Sequence, residues 1–178
     1  MVMNEEKRSL LKVLSILLQY PEDEIILSLG ELEEVVQEIS QVEHRKRCLN
    51  FLRYLKNNPL FRLQGDYTAT FDFNPATSLN LTYHKWGNAR ERGNALLDFH
   101  QLYATGGYDI TSRELPDYLP MFLEFLSIDY QECDFSFVGQ YWVELKTIGA
   151  LLEESGSPYG ALFEIVLDIF RELKTNGA

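Results

Sequence analysis

The 178-residue sequence is poor in the side chains from which disulfide scaffolds and metal centres are built. It contains two cysteines, Cys48 and Cys133, and three histidines. Two thiols cannot form the dense disulfide framework of small secreted domains, so we expect a reducing compartment. A closed zinc site needs about four ligands at recognisable spacing, whereas only His44 and Cys48 stand one helical turn apart. The sequence therefore predicts no metal site and no bound cofactor.

The two thiols have different sequence neighbours. Cys48 repeats with Leu52 and Leu55 at helical spacing, which predicts a buried structural thiol. Cys133 lies between two acidic residues, whose charges disfavour the thiolate form. Neither cysteine is predicted to be a nucleophile.

Long apolar runs are also missing. No run of about 18 successive apolar residues occurs, so no segment is predicted to cross a membrane. The first apolar stretch, residues 10–18, is interrupted by Lys12, and no small-residue cleavage site follows it. This stretch therefore predicts a helix rather than a signal peptide.

Basic residues are outnumbered by acidic ones. The chain has 16 Lys and Arg against 27 Asp and Glu, a formal net charge of -11. Such a surface repels phosphate backbones and anionic lipid headgroups, so nucleic acid is not a predicted partner. It would attract a basic peptide, although an acidic surface also serves solubility alone. Charge by itself leaves both interpretations open.

What the sequence does contain is helical periodicity. Apolar residues recur at helical spacing from Glu5 to Leu173, and hairpin signals are lacking. The prediction is an all-α, single-domain multi-helix bundle over residues 1–178. Helices are predicted at about 5–19 and 21–29, around 32–39 and 48–55, at 67–73, from 88 to the glycines at 106–107, from 117 to about 126, over 135–152, and after 156–158; residues 79–84 are left unassigned.

The segment at residues 114–126 gathers three carboxylates and three aromatic rings around one helix start. On a structural interpretation Asp117 is the N-cap of that helix and Phe122 belongs to the core. An Asn at this position caps about as well, so the cap role predicts that Asp117→Asn changes stability by less than about 1 kcal/mol. On a functional interpretation Glu114 and Asp117 edge a groove with an aromatic floor, suited to an apolar peptide with a basic end.

Enzymatic chemistry has little support. No glycine-rich phosphate loop and no nucleophile elbow is present. His84 and His100 have no Ser, Cys or carboxylate at motif spacing, and a partly buried, hydrogen-bonded histidine is expected at His100. A small helical enzyme or metal carrier using these histidines and the carboxylates stays the alternative from another class. A structural subunit of a larger complex is a third.

Four stretches together resemble a known family. The segment ELPDYLPMFLEFL, residues 114–126, resembles the signature of the NarJ-type nitrate reductase assembly chaperones, the delta-subunit family, within the wider TorD and DmsD group of redox-enzyme maturation proteins. YTATFD at 67–72 is similar to the family's Y-x-x-T-F-D segment, and LTYH at 81–84 is similar to the start of the next block. The leucine-rich first helix ending in Tyr20-Pro21 is similar too. The resemblance covers most of the chain in the right order.

This resemblance implies an all-helical cytoplasmic protein that binds a partner and has no substrate. The implied partner is the N-terminal segment of a molybdoenzyme catalytic subunit, which is kept competent for molybdenum cofactor insertion and assembly; cofactor biosynthesis proteins are further candidate partners. In the wider group the motif often ends in Asp-His, whereas here Asp117 is followed by Tyr118. This difference favours the respiratory nitrate reductase alpha subunit over the alternative client, another exported molybdenum oxidoreductase with a twin-arginine leader.

The resemblance also assigns roles to individual positions. Tyr67 and Phe71 match aromatic peptide contacts, and Asp117 and Tyr118 match a polar rim. No residue is assigned a catalytic role. The predicted peptide-binding set is Tyr67, Phe71, Glu114, Asp117, Tyr118, Phe122 and Glu124.

Overall fold

A computed structural model describes residues 5–128 and 135–176, and the chain is helical through both ranges. Within them there is no β-strand, only an isolated antiparallel bridge between Asn80 and Tyr118. The all-α prediction is confirmed. The α-helices are α1 Glu5–Leu17, α2 Asp23–Leu27, α3 Leu29–Gln37, α4 Val42–Asn57, α5 Leu60–Tyr67, α6 Leu81–Trp86, α7 Arg92–Thr105, α8 Leu119–Ile128, α9 Phe135–Gly139, α10 Trp142–Glu154 and α11 Gly160–Asn176, with a π-helix at Thr68–Asp72 and a 3-10 turn at Pro75–Thr77.

The centre of the fold is the pair formed by α1 and α8, which pack together more extensively than any other two helices described. The sequence of α8 is apolar on nearly all sides, which is typical of a buried helix. Three of its residues are incompletely buried, namely Met121, Glu124 and Ile128. Their spacing of three and four residues places them on one face, so α8 shows a single outward stripe.

The last helix covers the other side of this pair. Helix α11 packs against α10, α9 and α4, and its apolar face is fully buried. Its inward face is formed by Leu162, Val166, Ile169, Phe170 and Leu173, which recur at helical spacing and are all buried.

Two predicted helices differ from the structure in a way that apolar periodicity could not reveal. The predicted helix over residues 135–152 is broken at Gln140 and Tyr141, where two backbone bonds span three residues instead of four. Tyr141 is buried there, 5.3 Å from the ring of Phe99. The segment is apolar around its whole circumference, so its residues are buried both before and after the break. Its apolar pattern therefore does not show where the helix is interrupted.

The predicted short helix at 67–73 is a π-helical extension of α5. The amide of Phe73 donates to the carbonyl of Thr68 at 2.9 Å, a bond that spans five residues. The hydroxyl of Thr70 donates to the carbonyl of Asp66 at 2.7 Å and so satisfies a carbonyl in this turn. The extra residue of a π turn shifts the following side chains to another face of the helix. Phe71 is thereby directed into the core.

Two remaining expectations concern cysteine and the membrane. Cys48 is fully buried, as predicted, and burial raises the pKa of its thiol to about 12. Cys133 lies outside the described residues. In the described part of the chain, no helix combines the length and apolar character needed to span a bilayer.

Candidate functional site

A groove of about 550 Å³ opens between α1, α2, the loop before α8 and the outward stripe of α8. Its floor is apolar, with Ile16 from α1, Ile25 from α2 and Met121 from α8. We call it the α1–α8 groove. It is lined by Lys12, Ile16, Gln19, Tyr20, Glu22, Glu24, Ile25, Ser28, Ser112, Glu114, Tyr118, Pro120, Met121 and Glu124.

The rim of the α1–α8 groove is acidic. Four carboxylates line it, and Lys12 is the single cation among its described lining residues. Lys12 Nζ forms an ion pair with Glu124 Oε1. Within the described ranges, Glu22, Glu24 and Glu114 make no ion pair with a Lys, Arg or His. Three negative charges therefore face solvent around an apolar floor.

Two further hollows adjoin this groove and share its walls. One, of about 190 Å³, is lined by Tyr108 and Phe125 and shares Met121 and Glu124 with the groove. The other, of about 560 Å³, lies between α1 and α3 and shares Lys12 and Ile16 with it. The three hollows follow the outward stripe of α8 and together form an extended surface, the α8 trough.

Of the seven residues predicted from sequence, three line the α1–α8 groove. Glu114 is exposed in the loop before α8, and the side chains of Tyr118 and Glu124 are partly exposed. The predicted position of these three side chains at one surface is consistent with the structure, whereas peptide binding by them stays a prediction.

Asp117 does not lie at the rim and does not cap its own helix. It has no exposed surface. Its Oδ2 accepts from the amide of Thr82 at 2.9 Å and from the Thr82 hydroxyl, and its Oδ1 accepts from Asn80 Nδ2 at 3.1 Å. Thr82 is the second residue of α6, so Asp117 caps α6 instead of α8.

The backbone explains why the carboxylate reaches another helix. Leu81 N donates to Asp117 O at 3.1 Å, and Leu119 N donates to Leu79 O at 2.8 Å. These two bonds hold the segment before α8 against the start of α6 and direct the Asp117 side chain at the free amides there. Asp117 therefore lies neither at the N-cap of α8 nor at an exposed rim, because its carboxylate is bound at the start of α6, a helix start that the sequence does not mark.

Arg92 completes the buried network around Asp117. Its Nη2 lies 3.6 Å from Asp117 Oδ2, and its Nε donates to the Thr82 hydroxyl at 2.9 Å. The guanidinium also lies 5.5 Å from the centre of the Tyr83 ring. The negative charge of Asp117 is thus paired and hydrogen-bonded, as a buried carboxylate must be. The network fixes the loop that carries Glu114 and Tyr118.

Tyr67 and Phe71 lie beneath the groove rather than in it. Each is 3% exposed, so in this conformation they present almost no surface to a peptide, and direct contact stays a prediction. The Tyr67 ring packs on Phe71, Tyr20 and Tyr159 at centroid distances of 4.9, 5.5 and 5.9 Å. The π-helical turn directs Phe71 inward, and that turn has no distinct sequence pattern.

A hydrogen-bonded pair connects this aromatic layer to the groove. The hydroxyl groups of Tyr118 and Tyr67 lie 2.7 Å apart, and the Tyr67 hydroxyl donates to the carbonyl of Leu18 at 3.2 Å. Burial raises the pKa of both phenols above its ordinary value, so both stay protonated at neutral pH. Tyr118 is therefore held by the end of the first helix while its ring lines the groove.

Phe122 is a core residue and does not line the groove, so its predicted role in peptide binding has no support from its position and stays a prediction. It has no exposed surface. Its ring lies 5.4 Å from Phe99, 6.0 Å from Phe137 and 6.2 Å from Phe170. It points away from the outward stripe of α8 that lines the groove, whereas its neighbour Met121 lies on that stripe.

The wall of the groove that comes from α1 and α2 is not predicted from the sequence. Lys12 and Ile16, four residues apart, lie on the outer side of α1, opposite its buried leucines. Glu22 and Glu24 lie at the start of the predicted helix at 21–29, where acidic residues favour the helix dipole without any role in binding. The available signal was an apolar residue, Ile16, beside a charged one on the face opposite the leucines.

The histidines do not form a reactive centre. His84 Nε2 lies 2.7 Å from the carbonyl of Ser78, and His44 Nε2 lies 3.2 Å from Asp168 Oδ2. His100 is exposed on α7, so the expectation that it is partly buried is wrong. No cluster of three or more potential metal ligands occurs in the ranges that the structure describes.

The sequence profile of the family described as "Nitrate reductase delta subunit" matches residues 37–163. The chain belongs to this family. It is 32% identical over 161 residues to the nitrate reductase molybdenum cofactor assembly chaperone NarJ of Escherichia coli, covering 89% of this chain and 68% of that protein. It is 34% identical over 154 residues to a Bacillus subtilis protein assigned as the same kind of chaperone, covering 86% of this chain and 84% of that one.

The fold has a solved counterpart. A crystal structure of a proposed redox enzyme maturation protein from Archaeoglobus fulgidus matches with a TM-score of 0.67 at 22% identity. The match covers 92% of this chain and 93% of that one. At this identity the likeness concerns the fold alone. The resemblance inferred from the four sequence stretches is confirmed.

Proposed function

We propose that this protein is a cytoplasmic assembly chaperone of nitrate reductase, which binds the N-terminal segment of the catalytic alpha subunit in the α1–α8 groove. Binding would hold that subunit competent for insertion of the molybdenum cofactor and for assembly of the complex. The protein would act by binding and catalyse no reaction. Relatives from two organisms assigned to nitrate reductase cofactor assembly support the client.

The observation that carries the proposal is an apolar floor inside an acidic rim. A floor of Ile16, Ile25 and Met121 fits the apolar face of a short amphipathic helix or extended segment. Carboxylates at the edge favour a peptide that carries Lys or Arg on its other face, and they speed its approach at low salt. Such a surface binds a segment of chain and does not enclose a small substrate.

The rim is held in place by buried structure. The loop that carries Glu114 is tied to α6 through Asp117, and Tyr118 is tied to α1 through Tyr67. Because these supports have little or no exposed surface, the groove is largely formed before a peptide arrives. A preformed site loses less conformational freedom on binding than one that must be ordered.

We expect Glu114→Gln to weaken binding of the client peptide by about 1.4- to five-fold at low salt, because one exposed charge pair contributes about 0.2–1 kcal/mol. The probe is a synthetic peptide with the N-terminal sequence of the nitrate reductase alpha subunit of the same organism. Isothermal titration calorimetry measures the dissociation constant. Since Glu114 is exposed, the free energy of unfolding should change by less than about 0.5 kcal/mol.

Glu34→Gln is the matched control, because Glu34 is exposed on α3 and lines none of the hollows of the trough. It removes the same charge from the chain, so its effect reports only the change in net charge. Equal weakening by the two variants would contradict a local role for the rim. Failure of the wild-type protein to bind the peptide would contradict the proposed function itself.

A further inference from the structure

The ion pair between Lys12 and Glu124 crosses the α8 trough. Lys12 lies on α1 and lines both the α1–α8 groove and the hollow beside α3. Glu124 lies on the outward stripe of α8 between Met121 and Ile128, and it lines the groove and the hollow on the far side. The pair therefore stands where the three hollows meet.

A peptide lying along the trough would meet this ion pair. Its side chains are 47% and 42% exposed, so the pair is solvated and contributes little to stability. It is easily opened, and each partner can be solvated once it is open. Among the described residues that line the two hollows containing Glu124, only Lys12 carries a positive charge. Arg8 lines the hollow beside α3, where its Nη1 donates to the carbonyl of Ile128 at 3.3 Å.

We infer that Lys12 competes with the positively charged residues of the client for the carboxylate of Glu124. In the free protein it occupies Glu124, and a Lys or Arg of the bound peptide displaces it. This inference rests on the proposed function and adds a feature that regulates how tightly the groove holds its peptide. Lys12 lowers the affinity for a cationic peptide and takes back Glu124 when the peptide leaves.

Lys12 reduces the net negative charge of the groove. Four carboxylates and one Lys line the groove, so four minus one leaves three net negative charges. Without Lys12 all four carboxylates would be available to the peptide. A chaperone has to release its client, and an internal cation that re-forms its own ion pair favours release without altering the apolar floor.

The test is Lys12→Met, with Lys56→Met as its matched control. Lys56 pairs with Glu33 between α4 and α3, and those side chains are 40% and 42% exposed, close to the values for Lys12 and Glu124. Each substitution removes one positive charge and opens one interhelical ion pair. Lys56 lines no hollow of the trough, so only Lys12→Met changes the site locally.

The probes are the alpha-subunit peptide and the same peptide with every Lys and Arg replaced by Gln, titrated calorimetrically at low salt. We expect Lys12→Met to bind the cationic peptide about two- to five-fold tighter than wild type, and Lys56→Met to bind it nearly as wild type does. The gain should vanish with the uncharged peptide. It should also vanish when Glu124→Gln is added to Lys12→Met.

Each other result has a defined meaning. Equal affinity gains for Lys12→Met and Lys56→Met would overturn the inference, because net charge would then be the cause. Unchanged or weaker binding of the cationic peptide by Lys12→Met would overturn the inference as well. In that case the proposed function would still stand, provided that the wild-type protein binds the peptide. Absence of binding by the wild-type protein would remove the proposed function and this inference together.

Discussion

Replacing Asp117 by Asn should lower the free energy of unfolding by about 2–4 kcal/mol, although the two side chains have nearly the same size. Oδ2 faces three donors, the amide and hydroxyl of Thr82 and the guanidinium of Arg92, while Oδ1 faces Asn80 Nδ2. An amide group at this position must direct its NH₂ at one of these donors. It also leaves the positive charge of Arg92 without its partner in a mostly buried place.

Urea unfolding of Asp117→Asn measures this effect, with Asp98→Asn as the control because Asp98 is exposed on α7. The control should change stability by less than about 0.5 kcal/mol. A loss below about 1 kcal/mol for Asp117→Asn would support the N-cap role expected from the sequence and contradict the buried network. Arg92→Met in the Asp117→Asn background should cost less than it does in the wild type, since the two residues interact directly.

Phe122→Ala should lower the free energy of unfolding by about 3–5 kcal/mol, the cost of removing a fully buried aromatic ring. The ring has no exposed surface and packs against Phe99, Phe137 and Phe170. Thermal or urea unfolding measures the loss. Binding should weaken only to the extent that the folded fraction falls, because Phe122 does not reach the groove.

The neighbouring residue supplies the control for Phe122. Met121 lies on the outward stripe of α8 and forms part of the floor of the groove. Met121→Ala should therefore cost less stability than Phe122→Ala and weaken peptide binding more. The affinity of Phe122→Ala is measured under native conditions and corrected for the fraction of protein that is folded. If the folded Phe122→Ala protein loses as much affinity for the peptide as Met121→Ala does, then the Phe122 ring contributes to the site.

The fold could be predicted from the sequence because burial in helices follows a simple period. The leucines of α1 and the apolar positions of α11 recur at helical spacing, and the structure buries them. What the period cannot encode is a local departure from it. The break at Tyr141 and the π turn at Thr68–Asp72 lie in segments whose apolar pattern continues through them.

The candidate site was predictable only in part, since it is assembled from distant segments. Glu114, Tyr118 and Glu124 lie close together in sequence, and their acidic-aromatic pattern is visible there. Their opposite wall comes from Lys12 and Ile16, about a hundred residues away, and no local pattern joins the two. Asp117 failed as a prediction for the same reason, because its hydrogen-bonding partner Thr82 belongs to another helix.

Methyl NMR shows directly whether the α1–α8 groove binds the client peptide. Chemical shifts of labelled Ile and Met methyl groups would be followed while the alpha-subunit peptide is added. The largest shifts are expected at Ile16, Ile25 and Met121, which form the floor of the groove. The buried methyl groups of Ile148 and Ile169 should shift less. Saturable binding with the largest shifts at Ile148 or Ile169, and none at the floor residues, would contradict the account.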